Sequence, residues 1–432
     1  MVTESTFEIA NITAYHLALD DQPGYWEDYR GGGSARREPA RLEFREGWQT
    51  VYPTTVEAML LRVELADGST GWGESNTPIG PEVTALISQR LLKSMVAGRS
   101  FDSPVALWDF LYDAQRGRGY AAGYYLDAMA ALDIAVWDAL GHRAGLPVAR
   151  LLTDQPRQRL PVYLSGLRQA TRSERIEAMH QWLDTGLSGV KIFVDGDLDA
   201  AAQELEALQR AGGGTAEQWM VDTLWMCRGD DGRRAKALFG NLGARWLECP
   251  LQPEDLAGHR RLAGEPGAPI ALGEHFRTHY QTADWFGPPP ALDVYQPDIG
   301  RTGLSDGLRQ IETAQAAGVP STPHMGSGLH VFQSATLHFA TACWNGGPTN
   351  GRPADGVTDS TPGGADEAGG MLSAAPGSEV PYLQEYQAGL AQRGDLVGRT
   401  SWQYADGAFE LPEVPGLGVE IDEEALARYT VT

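Results

Sequence analysis

From about residue 160 the chain alternates short apolar runs with longer stretches whose apolar residues recur every three to four positions. The runs are LPVYL, GVKIFV, WMVD, RWLE, PIALG, LDVYQ, GVPST and VPYLQ, spread over 160–384. Seven helical candidates lie between them, such as TRSERIEAMHQWLDTG (171–186) and DLDAAAQELEALQRAG (197–212). Eight strands separated by seven helices predict a parallel sheet, and eight is the number that closes a barrel. An open doubly wound sheet is the alternative, but no GxGxxG follows the first strand, so a dinucleotide site is unsupported. The earlier part reads as α+β. TFEIANITAYHLAL (6–19) and TVEAMLLRVELADGSTGWGES (55–75) predict strands with ADGS as a hairpin turn, and PEVTALISQRLLKSMV and SPVALWDFLYDAQ predict helices. The expected organisation is an α+β domain over 1–127, a βα barrel over 128–400 and a tail over 401–432 with a strand, a tight turn and a short helix.

Two polar stretches break this pattern. Residues 19–49 hold Tyr25, Trp26, Arg30, Arg36 and Arg37, which suit a lid over an anion and equally a solvated loop. Residues 344–379 are rich in Gly, Pro, Ala and Asp without periodicity, and read as a loop or lid.

Composition narrows the function. With 42% apolar residues the 432-residue chain has ample material for a core. Its 34 Lys and Arg against 57 Asp and Glu give a formal net charge of −23, which speaks against nucleic acid and anionic membranes as partners. A small anion remains bindable through a few placed cations or a metal. Cys227, Cys249 and Cys343 are too few and scattered for a disulfide framework or a zinc knuckle. The opening MVTESTFEIA lacks the basic start and apolar run of a signal peptide. The most apolar helix, around 127–140, is interrupted by Asp127, Asp133 and Asp138 and falls short of a membrane span. A cytoplasmic protein with reduced thiols is expected.

The polar residues that end successive strands are Asp222, Glu248, Glu274, Asp298 and His324, separated by 26, 26, 24 and 26 residues, one βα unit each. In a barrel the C-terminal strand ends share one rim, so this spacing gathers five ionisable groups at one mouth. Any one acid alone is more often a helix cap. Three converging carboxylates repel each other unless neutralised, and an all-oxygen set selects a hard divalent ion, Mg²⁺ first and Mn²⁺ second. Asp298 accepting from one imidazole nitrogen would fix the tautomer of His324 and raise the basicity of the other nitrogen, making His324 a candidate general base. Lys191 and Phe193 share a strand face by the two-residue period. If that face is interior, Lys191 stands beside the acids, with a substrate carboxylate or the acids as counterion; the alternative is a lysine reaching out into water. His16, His142, His180, His259, His330 and His338 read as structural, and His275 either touches substrate or packs.

The runs GWGES (71–75), AMAALDIAVWDALGHRAGLPVARLL (128–152), WLECPLQPED, LGEH, YQPDIGRTGLSDG and TPHMGSGLH resemble the enolase superfamily, mandelate racemase subgroup, over nearly the whole chain. The resemblance implies a capping N-terminal domain, a modified (β/α)7β barrel and a C-terminal tail that returns to the cap. It implies Mg²⁺ ligands at Asp222, Glu248 and Glu274 and an Asp-His dyad at Asp298 and His324. LQEY (383–386) is similar to the segment that supplies a Glu near substrate, implying Glu385, with Gln384 as the fallback. Candidate substrate contacts are His275, Tyr25, Trp26 and Arg301. Two departures stand out. The second strand reads Lys191-Ile192-Phe193 where the subgroup has Lys-x-Lys, so the second base is missing, and Leu224 stands where many members have an Asn.

Racemisation needs bases on both faces, whereas one base suits β-elimination. The expected activity is therefore an acid-sugar dehydratase (hydro-lyase) yielding a 2-keto-3-deoxy acid. A racemase, epimerase or cycloisomerase is the alternative, and so is a catalytically silent barrel that only binds. The expected partner is a small-molecule carboxylate, with a homo-oligomeric assembly implied by the family.

Overall fold

A computed structural model describes residues 6–19, 42–45, 49–194, 196–212, 218–343 and 383–431. Tyr25, Trp26 and the 344–379 segment lie outside them. The N-terminal sheet consists of β1 (Phe7–Leu19), β2 (Val56–Leu65), β3 (Thr70–Ser75) and β4 (Arg99–Phe101), in the antiparallel order β3-β2-β1-β4. Helix α1 (Tyr124–Ala144) lies across β2 and β3. The glycines of GWG permit this approach: a Cβ at Gly71 or Gly73 would overlap the carbonyl oxygens of Ala135 or Ala131. The expected boundary between 127 and 128 thus falls inside a helix that packs on the N-terminal sheet, and the barrel's first strand starts only at Arg159.

The three aspartates of this apolar helix are each spent as acceptors. Asp127 takes both ends of the Arg277 guanidinium. Asp133 accepts from the Ser305 backbone and hydroxyl. Asp138 accepts from the backbones of Trp72 and Leu417. Buried carboxylates are tolerated where donors meet them, and here those donors belong to the cap, the barrel and the tail together.

The barrel strands are β5 (Arg159–Ser165), β6 (Gly189–Phe193), β7 (Trp219–Asp222), β8 (Trp246–Glu248), β9 (Ile270–Leu272) and β10 (Val294–Tyr295), running parallel in sequence order. The last, β11 (Gln384–Tyr386), pairs parallel with β5. The strand expected at 318–322 is reduced to single bridges, Tyr295 with Ser321 and Asp298 with His324. Pro320 and Pro323 carry no N–H, so a continuous ladder cannot form there. Side-chain bonds join this segment to the last strand instead: Thr322 donates to the Leu383 carbonyl and Gln384 to that of Pro323. Most linking helices match the periodicity, including α2 (Arg172–Leu183) and α3 (Leu198–Gly212), but only a four-residue turn, His279–Thr282, stands between β9 and β10. No helix among the described residues is long and apolar enough to cross a membrane.

The C-terminal tail touches both units. Hairpin strand Ala408–Glu410 pairs antiparallel with the start of β5, while Thr430 bridges Leu17 and the Val431 N–H donates to the His16 carbonyl. His338, on α4 (His330–Ala340), fastens these parts: its Nδ1 accepts from Ala149 N–H and its Nε2 donates to Leu417 O, each at 3.2 Å. Only the neutral ring fits those two partners, and burial pushes its pKa from 6.5 down to about 4. The unfolded chain therefore binds the proton more readily between pH 6.5 and 4, so stability falls as pH drops through that window. The expected loss there is up to about 3 kcal/mol in the wild type, from 1.36 kcal/mol per pKa unit, and its absence in His338→Gln, read from urea midpoints across pH, is the check.

Candidate metal and proton-transfer site

The barrel interior is lined by Tyr163, Met220, Trp246, Ala271 and Leu383, with Val294 against them. Side chains two residues apart on a strand share a face. Two positions further along each strand come Ser165, Asp222, Glu248, Gly273, Gln296 and Glu385, the next layer up at the C-terminal mouth. Asp222 and Glu248 are register partners on adjacent strands. Lys191, partnered in register with Ser165 and Met220, rises into this layer and is 1% exposed.

Lys191 Nζ lies 2.6 Å from Glu248 Oε1, 2.7 Å from Glu385 Oε1 and 3.8 Å from Asp222 Oδ2. Burial on its own would lower its pKa, but Glu248 and Glu385 hold the ammonium well above its ordinary value. Glu385, not Gln384, faces the interior. Burial would raise its carboxyl, yet Lys191 and His324 outweigh that and keep it below the ordinary carboxylate value. It also accepts from the Ser165 hydroxyl at 2.6 Å and the Met325 N–H at 2.8 Å.

His324 donates from Nδ1 to Asp298 Oδ2 at 2.7 Å and turns Nε2 toward Glu274 Oε2 at 3.1 Å. Burial alone would depress the ring, but Glu274, Glu385 and Asp298 raise its pKa to about 10. The converse holds for Glu274: burial would raise it, and His324 and Arg301 bring it to about 2. Arg301 places Nε 3.8 Å from Asp298 Oδ2. His275 packs edge-on to Trp225 with centroids 4.7 Å apart, and burial lowers its pKa to about 3. Its Nδ1 has no hydrogen-bond partner among the described residues.

Phe193 occupies the position where a second lysine was missing, and Lys191 Nζ lies 5.6 Å from its ring centroid. At Leu224 the contribution comes from the backbone, whose N–H donates to Asp222 Oδ1 at 2.8 Å. The next residue, Trp225, donates its indole N–H to Glu274 Oε1 at 3.0 Å. Leu224 and Trp225 hold left-handed φ values of 50° and 62°, and Cys249 one of 49°, at the ends of the two acid-bearing strands. Backbone strain of this kind persists where surrounding structure demands it and clusters at functional sites.

Sequence reasoning missed Asn76, Ser165, Trp225, Trp246 and Gln296. Trp246 and Gln296 donate to Glu248 Oε2 at 3.1 and 2.9 Å. The two-residue period marks Ser165 and Gln296 once the inward face is known; Asn76 comes from the cap and carries no such signal.

The donor set fits a hard cation. Burial first, then Glu248, pushes Asp222 well above the carboxylate range. Asp222 and Glu248 face Lys191, and Glu274 faces Trp225 and His324. Among the described residues the one group whose ligand atoms all lie within 4.8 Å is elsewhere, in the cap, formed by His16, Glu57 and Glu82. There His16 Nε2 and Glu57 Oε2 already meet at 2.8 Å.

A cap of this topology over a βα barrel with acids on consecutive strand ends defines a family. Residues 41–153 match the mandelate racemase / muconate lactonizing enzyme N-terminal domain and residues 174–359 the enolase C-terminal domain-like model. The chain belongs to the enolase superfamily, in its mandelate racemase branch. It is 25% identical over 378 residues to the D-galactarolactone cycloisomerase of Agrobacterium fabrum, covering 86% of this chain and 90% of that protein. It is 23% identical over 399 residues to the D-xylonate dehydratase of Haloferax volcanii, covering 86% and 85%. A solved enolase-superfamily member from Agrobacterium tumefaciens superposes with a TM-score of 0.81 at 27% identity, covering 98% and 99%. The fold is shared with a Streptomyces coelicolor racemase holding magnesium, TM-score 0.74 and 22% identity, covering 98% and 100%.

Proposed function

We propose that this protein is a Mg²⁺-dependent acid-sugar dehydratase, in which His324 removes the proton α to a carboxylate. The observation that carries the reading is the one-sided arrangement of proton carriers: an Asp-paired imidazole on one face, and Phe193 where the opposite base would stand. Asp222, Glu248 and Glu274 would hold Mg²⁺. When bound, the ion supplies charge neutralisation for the substrate carboxylate as negative charge builds on it. Lys191 adds a second cation to that oxygen pair, and Glu385 and Glu248 keep it charged and oriented. As the α C–H bond breaks, its proton goes to His324 Nε2 while Asp298 holds the Nδ1 proton. The β C–O bond then breaks with the electron pair leaving on oxygen. The imidazolium returns its proton to that oxygen, releasing water, and the enol tautomerises to the 2-keto-3-deoxy acid. Glu385, held ionised by Lys191, is a counterion rather than the acid for this step. His275 and Arg301, with Tyr25 and Trp26 from the segment outside the described residues, are the proposed substrate contacts.

A second reading is favoured by the cycloisomerase among the relatives. Proton removal would be the same, but the leaving oxygen would remain tethered to the product through an opened ring. Incubating hexonates, pentonates, aldarates and their lactones with Mg²⁺ separates the two. A 2-keto acid 18 mass units lighter supports dehydration, an isomeric keto acid supports ring opening, and epimerised starting acid overturns both.

Metal binding has its own check. Titration with Mg²⁺ should raise the wild-type melting temperature, because the ion stabilises the state that binds it, and raise that of Glu248→Gln less. No response in either protein favours a barrel that does not use the metal.

A further inference from the structure

The dyad is not held by the barrel alone. Asn76 enters it from the cap, immediately after β3, and is 3% exposed. Its Nδ2 donates to Asp298 Oδ2 at 2.5 Å, the same oxygen that receives His324 Nδ1. An acceptor-only carboxylate opposite decides which end of the amide faces it. The Asn76 backbone N–H donates to Gly300 O at 3.0 Å. The helix start after Asp298 and the loop after His324 are thinned to admit it: a Cβ at Gly300 would crowd the Asn76 backbone, and one at Gly326 would overlap its Nδ2. Two residues earlier Glu74, also buried, accepts from the Leu329 and Phe332 N–H groups at 2.7 and 2.8 Å, fastening the segment that follows His324.

We propose that Asn76 is a positioning residue of the proton-transfer dyad, by which the capping domain fixes the rotamer of Asp298 and so the orientation of His324. The physical reason is competition for one carboxylate. Asp298 Oδ1 has no hydrogen-bond partner among the described residues, while Arg301 Nε stands 3.8 Å from Oδ2. Two donors converging on Oδ2 hold the group toward His324. With the amide gone, only the imidazole opposes a swing toward Arg301. Partners of this kind, one bond removed from the reacting group, commonly matter 10- to 100-fold. The role also makes the base dependent on cap docking, since the barrel alone supplies no equivalent donor to Oδ2 among the described residues.

The proposal rests on His324 being the base, and its test is chosen to stand apart from that reading. In wild type the Nδ1–H bonded to Asp298 should give a low-field proton resonance, identified by its disappearance in His324→Asn. In Asn76→Leu this line should shift upfield or broaden away, with Asn76→Asp, which keeps the shape and lacks the donor, giving the same result should the leucine variant fold poorly. No substrate is needed, so a wild type that dehydrates nothing would sink the functional reading and leave this measurement decisive. With turnover, kcat should fall roughly 10- to 100-fold while KM and the Mg²⁺-induced melting shift stay near wild type. An unmoved resonance, or a raised KM at unchanged kcat, overturns the positioning role.

Discussion

Replacing His324 with Asn will abolish product formation and stop exchange of the substrate's α-proton with solvent deuterium. The loss follows from geometry: among the described residues His324 Nε2 is the imidazole nitrogen turned toward Glu274 with its partner nitrogen tied to Asp298 at 2.7 Å, and the phenyl ring of Phe193 carries no proton acceptor. Removing a general base costs about 10² to 10⁴ in rate, and more where nothing substitutes. Asp298→Asn should also be damaging, because an amide can no longer favour the imidazolium or hold its tautomer. The measurement is ¹H NMR of the α-position in D₂O with Mg²⁺ present. Exchange that persists in His324→Asn and vanishes in Lys191→Met would move the base to the lysine face.

The second large effect is on stability. Lys191→Met will destabilise the metal-free protein by about 3–5 kcal/mol, the usual result of removing one partner from a buried ion pair. Lys191 is enclosed by Glu248, Glu385 and Asp222, and a methionine fills the space while leaving three carboxylates facing one another. Urea denaturation in the presence of a chelator reads this loss. Adding Mg²⁺ should recover part of it, since a divalent ion held by Asp222, Glu248 and Glu274 would neutralise two of the three acids around Lys191 and bind only the folded chain. Turnover should stay low even then, because the substrate carboxylate has lost a cation that steadies its growing charge. An unchanged urea midpoint in chelator would show that Lys191 is not the counterion of this cluster.

The consequence for chemistry is a site that stores its charges in pairs. Lys191 sits on Glu248 and Glu385, and His324 on Glu274 and Asp298, so both are held charged while Glu274 pairs with the ring. His324 Nε2 would be able to take the α-proton only once Glu274 is committed to the ion and Nε2 has given up its own proton. Each proposed metal ligand already has a protein donor, from Leu224 N–H to Asp222, from Trp246 and Gln296 to Glu248, and from Trp225 to Glu274. Such donors orient the carboxylates and limit the rearrangement that ligation demands.

What the sequence determined by itself is the repeat. Spacings of 24 and 26 residues between Asp222, Glu248, Glu274, Asp298 and His324 are a one-dimensional record of a parallel βα fold, and closure of that fold forces them to one rim. The two-residue period equally placed Lys191 and Phe193 on one face, because strand geometry is local. Tertiary structure alone decided the rest. The proline-broken segment around 318–322 keeps backbone bonds to β10 but is joined to β11 by the side chains of Thr322 and Gln384 rather than by a ladder, which local propensity cannot foresee. The choice of Glu385 over Gln384 depended on the register of β11 against β5. Asp127, Asp133 and Asp138 look like interruptions of an apolar helix until their donors arrive from residues 277, 305 and 417. Asn76 is the extreme case: it lies 222 positions from Asp298 in a different domain, and a contact of that separation leaves no periodic trace in a single chain.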